Sequence, residues 1–196
     1  IPTLNEEKLI GTTLNQFQNL KNKYDFEIIV CDNNSSDKTI EIASNYSCIS
    51  IKNESEHKNI SSNRNYAQKH SKGDILIFLD ADIEIKDIDF FFKELIKEFE
   101  NKNLVACSPK IYIKPNQEKI IDKIINRTHT FLSILINKMG IGYARGGCQI
   151  IRKNDFELVN GYKEHLIAGE DVELFNRLGS LGDIKILRKL IVYESP

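Results

Sequence analysis

The segment Ile75-Leu-Ile-Phe-Leu-Asp-Ala-Asp82 joins a run of five apolar residues to a pair of aspartates. The apolar run predicts a buried β-strand over residues 75–79. Alternation along an extended chain places Asp80 and Asp82 on the same side of it. Two carboxylates this close repel each other unless a cation lies between them, and oxygen ligands alone favour Mg²⁺ or Mn²⁺. We therefore expect a metal site here, with a solvated acidic turn as the alternative.

The first half of the chain alternates predicted strands with predicted helices. Strands are predicted at residues 26–31, 49–51 and 75–79, and helices at residues 6–20, 37–46, 62–70 and 87–100, the first of them capped by Asn5. This alternation is typical of βαβ units, so the sequence predicts an α/β fold with a mostly parallel central sheet flanked by helices. Ligands of such sheets bind beyond the carboxyl ends of the strands. Thr3, Asp32 and the Asp80/Asp82 pair all follow strands, so we expect them to meet in one crevice.

The second half has a more mixed pattern. A long helix is predicted over residues 117–139, a glycine-rich loop over 140–147, and strands at 105–113, 148–151, 184–187 and 190–193. No linker or repeat interrupts the chain, which predicts a single domain over residues 1–196 with halves at 1–103 and 104–196. Ile1-Pro2 reads as the end of a strand, so we expect that earlier residues of this domain are missing.

Several other polar residues are candidates for chemistry. Asp32 ends a predicted strand and either accepts a hydrogen bond from a nucleobase or ribose or caps the next helix. Arg64, on a predicted helix, either reaches a diphosphate or forms a surface salt bridge. Glu170 and Asp171 begin a predicted helix after Gly169; Asp171 is a candidate general base, and favourable placement on the helix dipole is the alternative. Gly146 and Gly147 either admit a sugar to the backbone or form a turn.

Composition limits the classes of function. Lys and Arg number 27 and Asp and Glu 28, so bulk electrostatic binding to nucleic acid is not expected. The four cysteines are widely spaced, which predicts buried thiols in a reducing compartment such as the cytoplasm. No apolar run is long enough to span a bilayer. Residues 120–127 and 131–136 carry many large apolar side chains with lysines nearby, and they either pack on the sheet or lie on a membrane surface.

The motifs occur in an order that resembles family 2 glycosyltransferases, over nearly the whole chain. They are Pro2-Thr-Leu-Asn-Glu6, Cys31-Asp-Asn-Asn-Ser-Ser-Asp37, Arg64-Asn65, Leu79-Asp-Ala-Asp82, Gly146-Gly147 and Gly169-Glu-Asp-Val-Glu-Leu174. The resemblance implies the GT-A fold, with a nucleotide-sugar-binding half at residues 1–103 and an acceptor half at 104–196.

The resemblance also implies a role for each motif. The donor nucleotide is expected to contact Pro2, Thr3, Leu4, Asn5, Glu6, Asp32, Asn34, Arg64, Asp80, Ala81 and Asp82. Asp82 and Asp80 are the expected metal ligands, and Glu194 is a candidate third ligand because the family's usual histidine is absent there. The expected catalytic base is Asp171, and Gly146, Gly147 and Glu170 are expected on the acceptor side.

The implied activity is an inverting, metal-dependent transfer of one sugar from a nucleoside-diphosphate sugar, usually a UDP-sugar. The acceptor is expected to be a hydroxyl of a glycan or a lipid-linked molecule, with the domain in the cytoplasm or at the cytoplasmic membrane face. Single transfer is expected because the chain has no Trp and so lacks a tryptophan-containing motif of processive members. Two alternatives stay open, a sugar-phosphate nucleotidyltransferase and a non-catalytic nucleotide-sugar-binding subunit.

Overall fold

Eight strands and seven α-helices follow one another along residues 1–195, the part of the chain that the computed structural model describes. The strands are β1 (Pro2–Thr3), β2 (Ile29–Asp32), β3 (Ile49–Lys52), β4 (Ile75–Leu79), β5 (Glu84–Ile85), β6 (Leu104–Ile113), β7 (Cys148–Arg152) and β8 (Asp183–Glu194). The helices are α1 (Ile10–Asn15), α2 (Thr39–Ala43), α3 (Ile60–Lys69), α4 (Ile88–Phe99), α5 (Ile120–Lys138), α6 (Lys153–Leu158) and α7 (Glu170–Gly179).

Two sheets organise these elements and confirm the predicted α/β class. β1, β2 and β3 form a parallel sheet in that order, in which Thr3 lies opposite Asp32. The second sheet has the order β4-β7-β6-β8-β5 and is mixed: β6 and β8 are parallel, and the other pairs are antiparallel. Parallel pairing in the first sheet brings the ends of β1 and β2 to one edge, as expected.

Strand β4 differs from the expectation in its partner. The sequence analysis places it in the parallel sheet, whereas the structure pairs it antiparallel with β7, with Leu79 opposite Cys148. The apolar run predicts a buried strand correctly, but it carries no information about the neighbour. This pairing matters because it sets the carboxyl end of β4 beside the glycine-rich loop that precedes β7.

The helix after β1 is shorter than predicted. α1 covers only Ile10–Asn15, followed by a 3₁₀ turn at Gln18–Leu20, and Leu9 rather than Asn5 precedes it. Asn5 has a left-handed backbone with φ of 57°, which asparagine tolerates. Its side-chain oxygen accepts a hydrogen bond from the Ser36 N–H at 2.9 Å, so Asn5 joins two loops instead of capping a helix.

The five-stranded sheet is buried on both faces. On one face Leu79, Ile150 and Leu104 pack against apolar residues of α4 such as Phe91 and Leu95. On the other face Phe78 and Ile151 pack with Phe156 of α6 and with Leu174 and Phe175 of α7. Burial of both faces explains why β4 reads as a continuous apolar run rather than an alternating one.

The structure shows the state of the cysteines and the character of the helices. All four cysteines are free thiols; Cys31, Cys107 and Cys148 are buried and Cys48 is half-buried. Within residues 1–195, none of the helices combines the length and the apolar character that crossing a bilayer requires.

Candidate functional site

The first part of the site is the junction of the β1 and β2 ends. Asp32 is buried, and its Oδ1 accepts a hydrogen bond from the Thr3 hydroxyl at 3.0 Å. Its Oδ2 accepts from the Ser35 N–H at 2.8 Å. These bonds hold the loop after β2, in which Asn34 has a left-handed backbone with φ of 72°. The predicted contact of Asp32 with the nucleobase stays a prediction, and the structure adds that Asp32 shapes this loop.

Glu6 connects this junction with the aspartate pair. Its N–H donates to the Thr39 hydroxyl at 2.7 Å, which fixes the segment after β1. Burial and the nearby carboxylates of Asp82 and Asp80 raise the pKa of Glu6 above its ordinary value. The negative charges of Asp80 and Asp82 therefore act on Glu6, in the region where the sequence predicts a cation.

Arg64 joins the two halves of the chain beneath the crevice. Its side chain is 1% exposed, and Nη2 contacts Asp80 Oδ1 at 2.7 Å while Nη1 contacts Glu170 Oε1 at 3.3 Å. The guanidinium also lies over the Tyr162 ring, 5.3 Å from its centroid. One buried cation thus holds an acid from the end of β4 and an acid from the start of α7. The alternative prediction, that Arg64 forms a salt bridge on the surface, is therefore wrong, because the Arg64 side chain is buried and pairs with both carboxylates.

Of the two aspartates, Asp82 has the carboxylate that is more available to a metal ion. Its Oδ2 accepts the Ser195 N–H at 3.2 Å, whereas Asp80 already forms the ion pair with Arg64. Within residues 1–195 no group of three or more His, Cys, Asp or Glu side chains is arranged to hold a metal ion. The carboxylate of Glu194 is instead paired with Arg145. The fitting donor set is therefore one or two carboxylates completed by substrate phosphates and water, which is how Mg²⁺ is usually bound.

Gly146 and Gly147 lie between the aspartate pair and Asp171. The Asp80 N–H donates to the Gly147 carbonyl at 2.9 Å. A Cβ built on Gly146 would stand 3.4 Å from Asp171 Oδ2. The antiparallel pairing of β4 with β7 creates this adjacency, and Gly169 provides the left-handed turn, with φ of 73°, that begins α7. Asp80 and Asp171 consequently lie on the same side of the molecule.

The glycine-rich loop is pressed against α7 further along, at Gly142. A Cβ built on Gly142 would lie 1.7 Å from the Phe175 carbonyl oxygen, and one on Gly179 would lie 2.8 Å from the Gly142 nitrogen. Only glycine allows two backbones to approach this closely. The predicted close backbone approach is therefore made to α7, and it keeps the loop in register with the helix that carries Asp171.

Replacing Gly142 by alanine is expected to destabilise the protein. The added methyl forces the loop away from α7, and overpacking of this kind costs about 2–3 kcal/mol of unfolding free energy. Chemical denaturation measures the loss. Gly73→Ala is the matched control, because a Cβ there would meet its nearest neighbour at 3.7 Å. Equal stability of the two variants would show that the contact at Gly142 is not tight.

The sequence analysis missed three polar residues of α5 and the glycine-rich loop, Arg145, His129 and Tyr143. Arg145 donates from Nη1 to Asn126 Oδ1 at 2.8 Å and also pairs with Glu194. The His129 imidazole is 2.8 Å from the Tyr143 hydroxyl. Burial and the charge of Arg145 lower the pKa of His129. Arg145 could have been recognised as the charged residue of the glycine-rich loop. No sequence pattern indicates the contact of His129, because only folding brings the Tyr143 hydroxyl to it.

The site is an open crevice rather than a deep cavity. A cavity of about 600 Å³ lies between α4, α5 and β8, and a groove of about 370 Å³ runs between β2 and β4. Neither is lined by Asp80, Asp82 or Asp171. The acids lie at the rim of the sheets, outside both of these cavities.

Comparison with models of protein families shows the family to which the chain belongs. The model of glycosyl transferase family 2 matches residues 1–159. The chain belongs to this family. A family-2 relative, the O-antigen chain rhamnosyltransferase RfbN of Salmonella typhimurium, is 29% identical over 181 residues, which cover 88% of this chain and 57% of the relative. This chain thus spans just over half the length of that protein.

Solved structures confirm the GT-A fold of the family-2 chain. The mannosyltransferase PcManGT of Pyrobaculum calidifontis, solved with GDP-Man and Mn²⁺, has a TM-score of 0.74 at 18% identity, covering 99% of this chain and 55% of that one. Glucosyl-3-phosphoglycerate synthase of Mycobacterium tuberculosis, solved with Mn²⁺, UDP and glucosyl-3-phosphoglycerate, has a TM-score of 0.70 at 17% identity, covering 100% and 70%.

The family match and the geometry cover different parts of the site. The predicted donor-side residues, from Pro2 to Asp82, lie within residues 1–159, as do Gly146 and Gly147. Glu170, Asp171 and Glu194 lie beyond the matched segment. The placement of the acids of α7 therefore rests on the structure, through the Arg64 bridge and the approach of Gly146.

Proposed function

We propose that this chain is the catalytic domain of an inverting, metal-dependent glycosyltransferase. It transfers one sugar from a nucleoside-diphosphate sugar, most simply a UDP-sugar, to a hydroxyl of a glycan or lipid-linked acceptor in cell-surface glycan or glycolipid synthesis. The single observation that carries the proposal is the convergence of the Asp80 and Asp171 segments on Gly146-Gly147. Family membership supports it, and the neighbours solved with nucleotides and Mn²⁺ agree with it.

The donor side of the proposal uses the ends of the first strands. Thr3, Glu6 and the loop held by Asp32 form one wall of the crevice and are proposed to receive the nucleoside. Pro2 lies in β1, Leu4, Asn5 and Asn34 lie in the loops that follow β1 and β2, and Ala81 separates the aspartates. Arg64 acts on this side through Asp80, whose carboxylate it orients at 2.7 Å, rather than by direct contact with a diphosphate.

Asp82 and Asp80 are the residues that would hold a divalent cation, with the donor diphosphate supplying further oxygen ligands. Mg²⁺ or Mn²⁺, when bound there, neutralises charge on the departing nucleoside diphosphate. The approach of Asp82 and Asp80 to Glu6 supports this assignment, because such crowding of carboxylates is relieved by a bound cation. Glu194 is not included among the proposed ligands, since Arg145 already pairs with it.

Transfer then needs one proton acceptor on the acceptor side. Asp171 takes the proton of the acceptor hydroxyl while that oxygen attacks the anomeric carbon. The bond between this carbon and the diphosphate oxygen breaks, and the nucleoside diphosphate leaves with the electron pair. Attack from the side opposite the leaving group inverts the anomeric configuration. Glu170 shapes this side through its contact with Arg64.

Binding of nucleoside diphosphates tests the donor class directly. A panel of UDP, GDP and dTDP is added with and without Mn²⁺, and the thermal midpoint of unfolding is recorded. A ligand that binds only the folded state raises this midpoint by mass action. We expect the largest rise with UDP and Mn²⁺ together. A rise with another nucleotide would correct the donor, and no rise with any would overturn the proposal.

The substitution Asp82→Asn is expected to remove the metal-dependent part of that rise. Loss of a carboxylate ligand is expected to weaken Mn²⁺ binding at least about tenfold. The matched control is Asp183→Asn at the exposed first residue of β8. An unchanged response of the Asp82 variant to Mn²⁺ would exclude this carboxylate from the metal site.

One finding supports the proposed setting. Free cysteines throughout the described part of the chain fit a reducing compartment such as the cytoplasm.

Turnover assays separate the proposal from the alternatives of the sequence analysis. Release of pyrophosphate from a nucleoside triphosphate would indicate a nucleotidyltransferase, and UDP binding without turnover on any acceptor would indicate a non-catalytic subunit.

A further inference from the structure

The long helix α5 has its polarity reversed relative to an ordinary surface helix. Its buried positions include Asn126 and Ser133, which are 4% and 2% exposed. Its outward positions are apolar and largely exposed, with Phe131 at 66%. A surface helix normally turns its apolar stripe toward the core. This reversal identifies a face that the described part of the chain leaves uncovered.

Three inward polar side chains of α5, those of Asn126, His129 and Asn137, contact the loop at residues 140–147. Asn137 donates from Nδ2 to the Tyr143 carbonyl at 2.9 Å and accepts the Tyr143 N–H at 2.7 Å. Asn126 accepts from Arg145, and His129 contacts the Tyr143 hydroxyl. These bonds set the rotation of the helix about its axis. The helix therefore cannot roll its apolar side inward without breaking them.

The outward face is mostly apolar, with the exposed Thr128 among its large apolar residues. At 100° per residue its members span an arc about 120° wide along a helix about 28 Å long. They are Ile121, Ile124, Ile125, Phe131, Leu132 and Leu135, each at least 47% exposed. We refer to these six residues as the α5 apolar face. A surface of this extent is unusual on an uncovered protein and marks an interaction site.

The charges on α5 favour one kind of partner. Lys123, Arg127 and Lys138 are exposed and follow one edge of the α5 apolar face. Among the ion pairs of residues 1–195, Arg127 and Lys138 have none, and Lys123 has only a 3.8 Å contact with Glu118. The one acid on the helix, Asp122, is turned to its start, where it accepts the Lys119 N–H at 2.8 Å. A broad apolar arc with a purely basic edge matches the surface of an anionic lipid bilayer.

We propose that α5 is an interfacial helix that docks this chain on an anionic membrane surface. The α5 apolar face enters the boundary between headgroups and acyl chains, and the basic edge contacts acidic headgroups. Since α5 is bonded to Arg145 and Tyr143 in the loop that leads to Gly146, docking holds the crevice next to the bilayer. Taken with the proposed function, on which this last step rests, the geometry favours a lipid-linked acceptor.

Sedimentation with vesicles tests the docking. The 196-residue chain is mixed at low salt with vesicles of phosphatidylcholine alone or with about one third phosphatidylglycerol. We expect binding to the anionic vesicles, weakened by salt because the basic edge is screened. Lys123→Gln/Arg127→Gln/Lys138→Gln is expected to lower partitioning on the order of 10²-fold, at about fivefold per charge. Ile124→Ser/Phe131→Ser/Leu135→Ser is expected to lower it at least about tenfold.

The control carries equivalent changes on apolar residues that are exposed elsewhere. Ile96→Ser/Leu158→Ser alters α4 and α6, where the two side chains are 54% and 70% exposed, and should leave vesicle binding unchanged. Circular dichroism checks that every variant is folded. Absence of binding to anionic vesicles, or equal loss in the control, would overturn the proposal. Self-association that disappears in the α5 variant would assign the face to a second copy instead.

The docking and the proposed function fail separately. Vesicle binding needs no nucleotide, and the UDP and Mn²⁺ response needs no lipid. A chain that responds to UDP but ignores anionic vesicles contradicts only the docking. A chain that binds vesicles without responding to any nucleoside diphosphate contradicts only the glycosyltransferase assignment.

Discussion

Asp171→Asn is expected to lower turnover about 10²–10⁴-fold while leaving the binding of UDP and Mn²⁺ nearly unchanged. The amide keeps the size and position of the side chain but cannot accept the proton of the acceptor hydroxyl. Asp171 lies next to Gly146 and accepts a hydrogen bond from the Val172 N–H at 2.8 Å, which the side-chain oxygen of an asparagine can also accept. Initial rates with a saturating nucleotide sugar measure the effect, and a thermal-shift titration measures the binding.

The control for this prediction is Asp183→Asn, which removes one exposed carboxylate outside the crevice. It should preserve both rate and binding. A parallel fall of turnover and of nucleotide affinity in the Asp171 variant would indicate a donor-side role for this residue. Full activity of the variant would remove Asp171 from the mechanism and return the acids of α7 to a purely structural role.

Arg64→Met is expected to lower the free energy of unfolding by about 3–4 kcal/mol. The change removes a buried cation that two carboxylates share, at 2.7 Å from Asp80 and 3.3 Å from Glu170. The value lies toward the lower end of the range for a broken buried pair because both acids retain some access to water. Turnover should fall as well, since Asp80 and Glu170 lose the group that positions them.

Chemical denaturation gives the free energy, and Lys69→Met on the exposed side of the same helix is the matched control. Arg64→Lys separates charge from geometry, because a lysine keeps the positive charge but cannot reach both carboxylates with a planar fork. A loss below about 1 kcal/mol for Arg64→Met would mean that the two acids find other partners.

The predictable part of the site is the part that follows strands. The apolar run of β4 and the acids after it identify Asp80 and Asp82 from local pattern alone, and β1 and β2 place Thr3 and Asp32 at one edge by parallel pairing. Asn5 shows the limit of local pattern. Its position before an apolar stretch predicts a helix cap, but its side chain bonds to Ser36, 31 residues away.

The unpredictable part depends on partners that are distant in the chain. Arg64 has two interpretations as a sequence feature, and only folding brings Glu170, 106 residues later, to its guanidinium. The same holds for α5, whose apolar residues are compatible with packing on the sheet or with a membrane. Hydrogen bonds from Asn126 and Asn137 to the glycine-rich loop fix the rotation of α5, so that its apolar residues face outward.

Amino-acid order alone was enough to establish the α/β class, the family resemblance and the strand-end acids, because these depend on periodicity and on short spacings. Tertiary structure alone decided that β4 pairs with β7, that one buried arginine joins the donor and acceptor halves, and that α5 presents an apolar face. Those features arise from contacts between segments tens of residues apart, and the free energy of such contacts depends on the whole packed arrangement rather than on any local pattern.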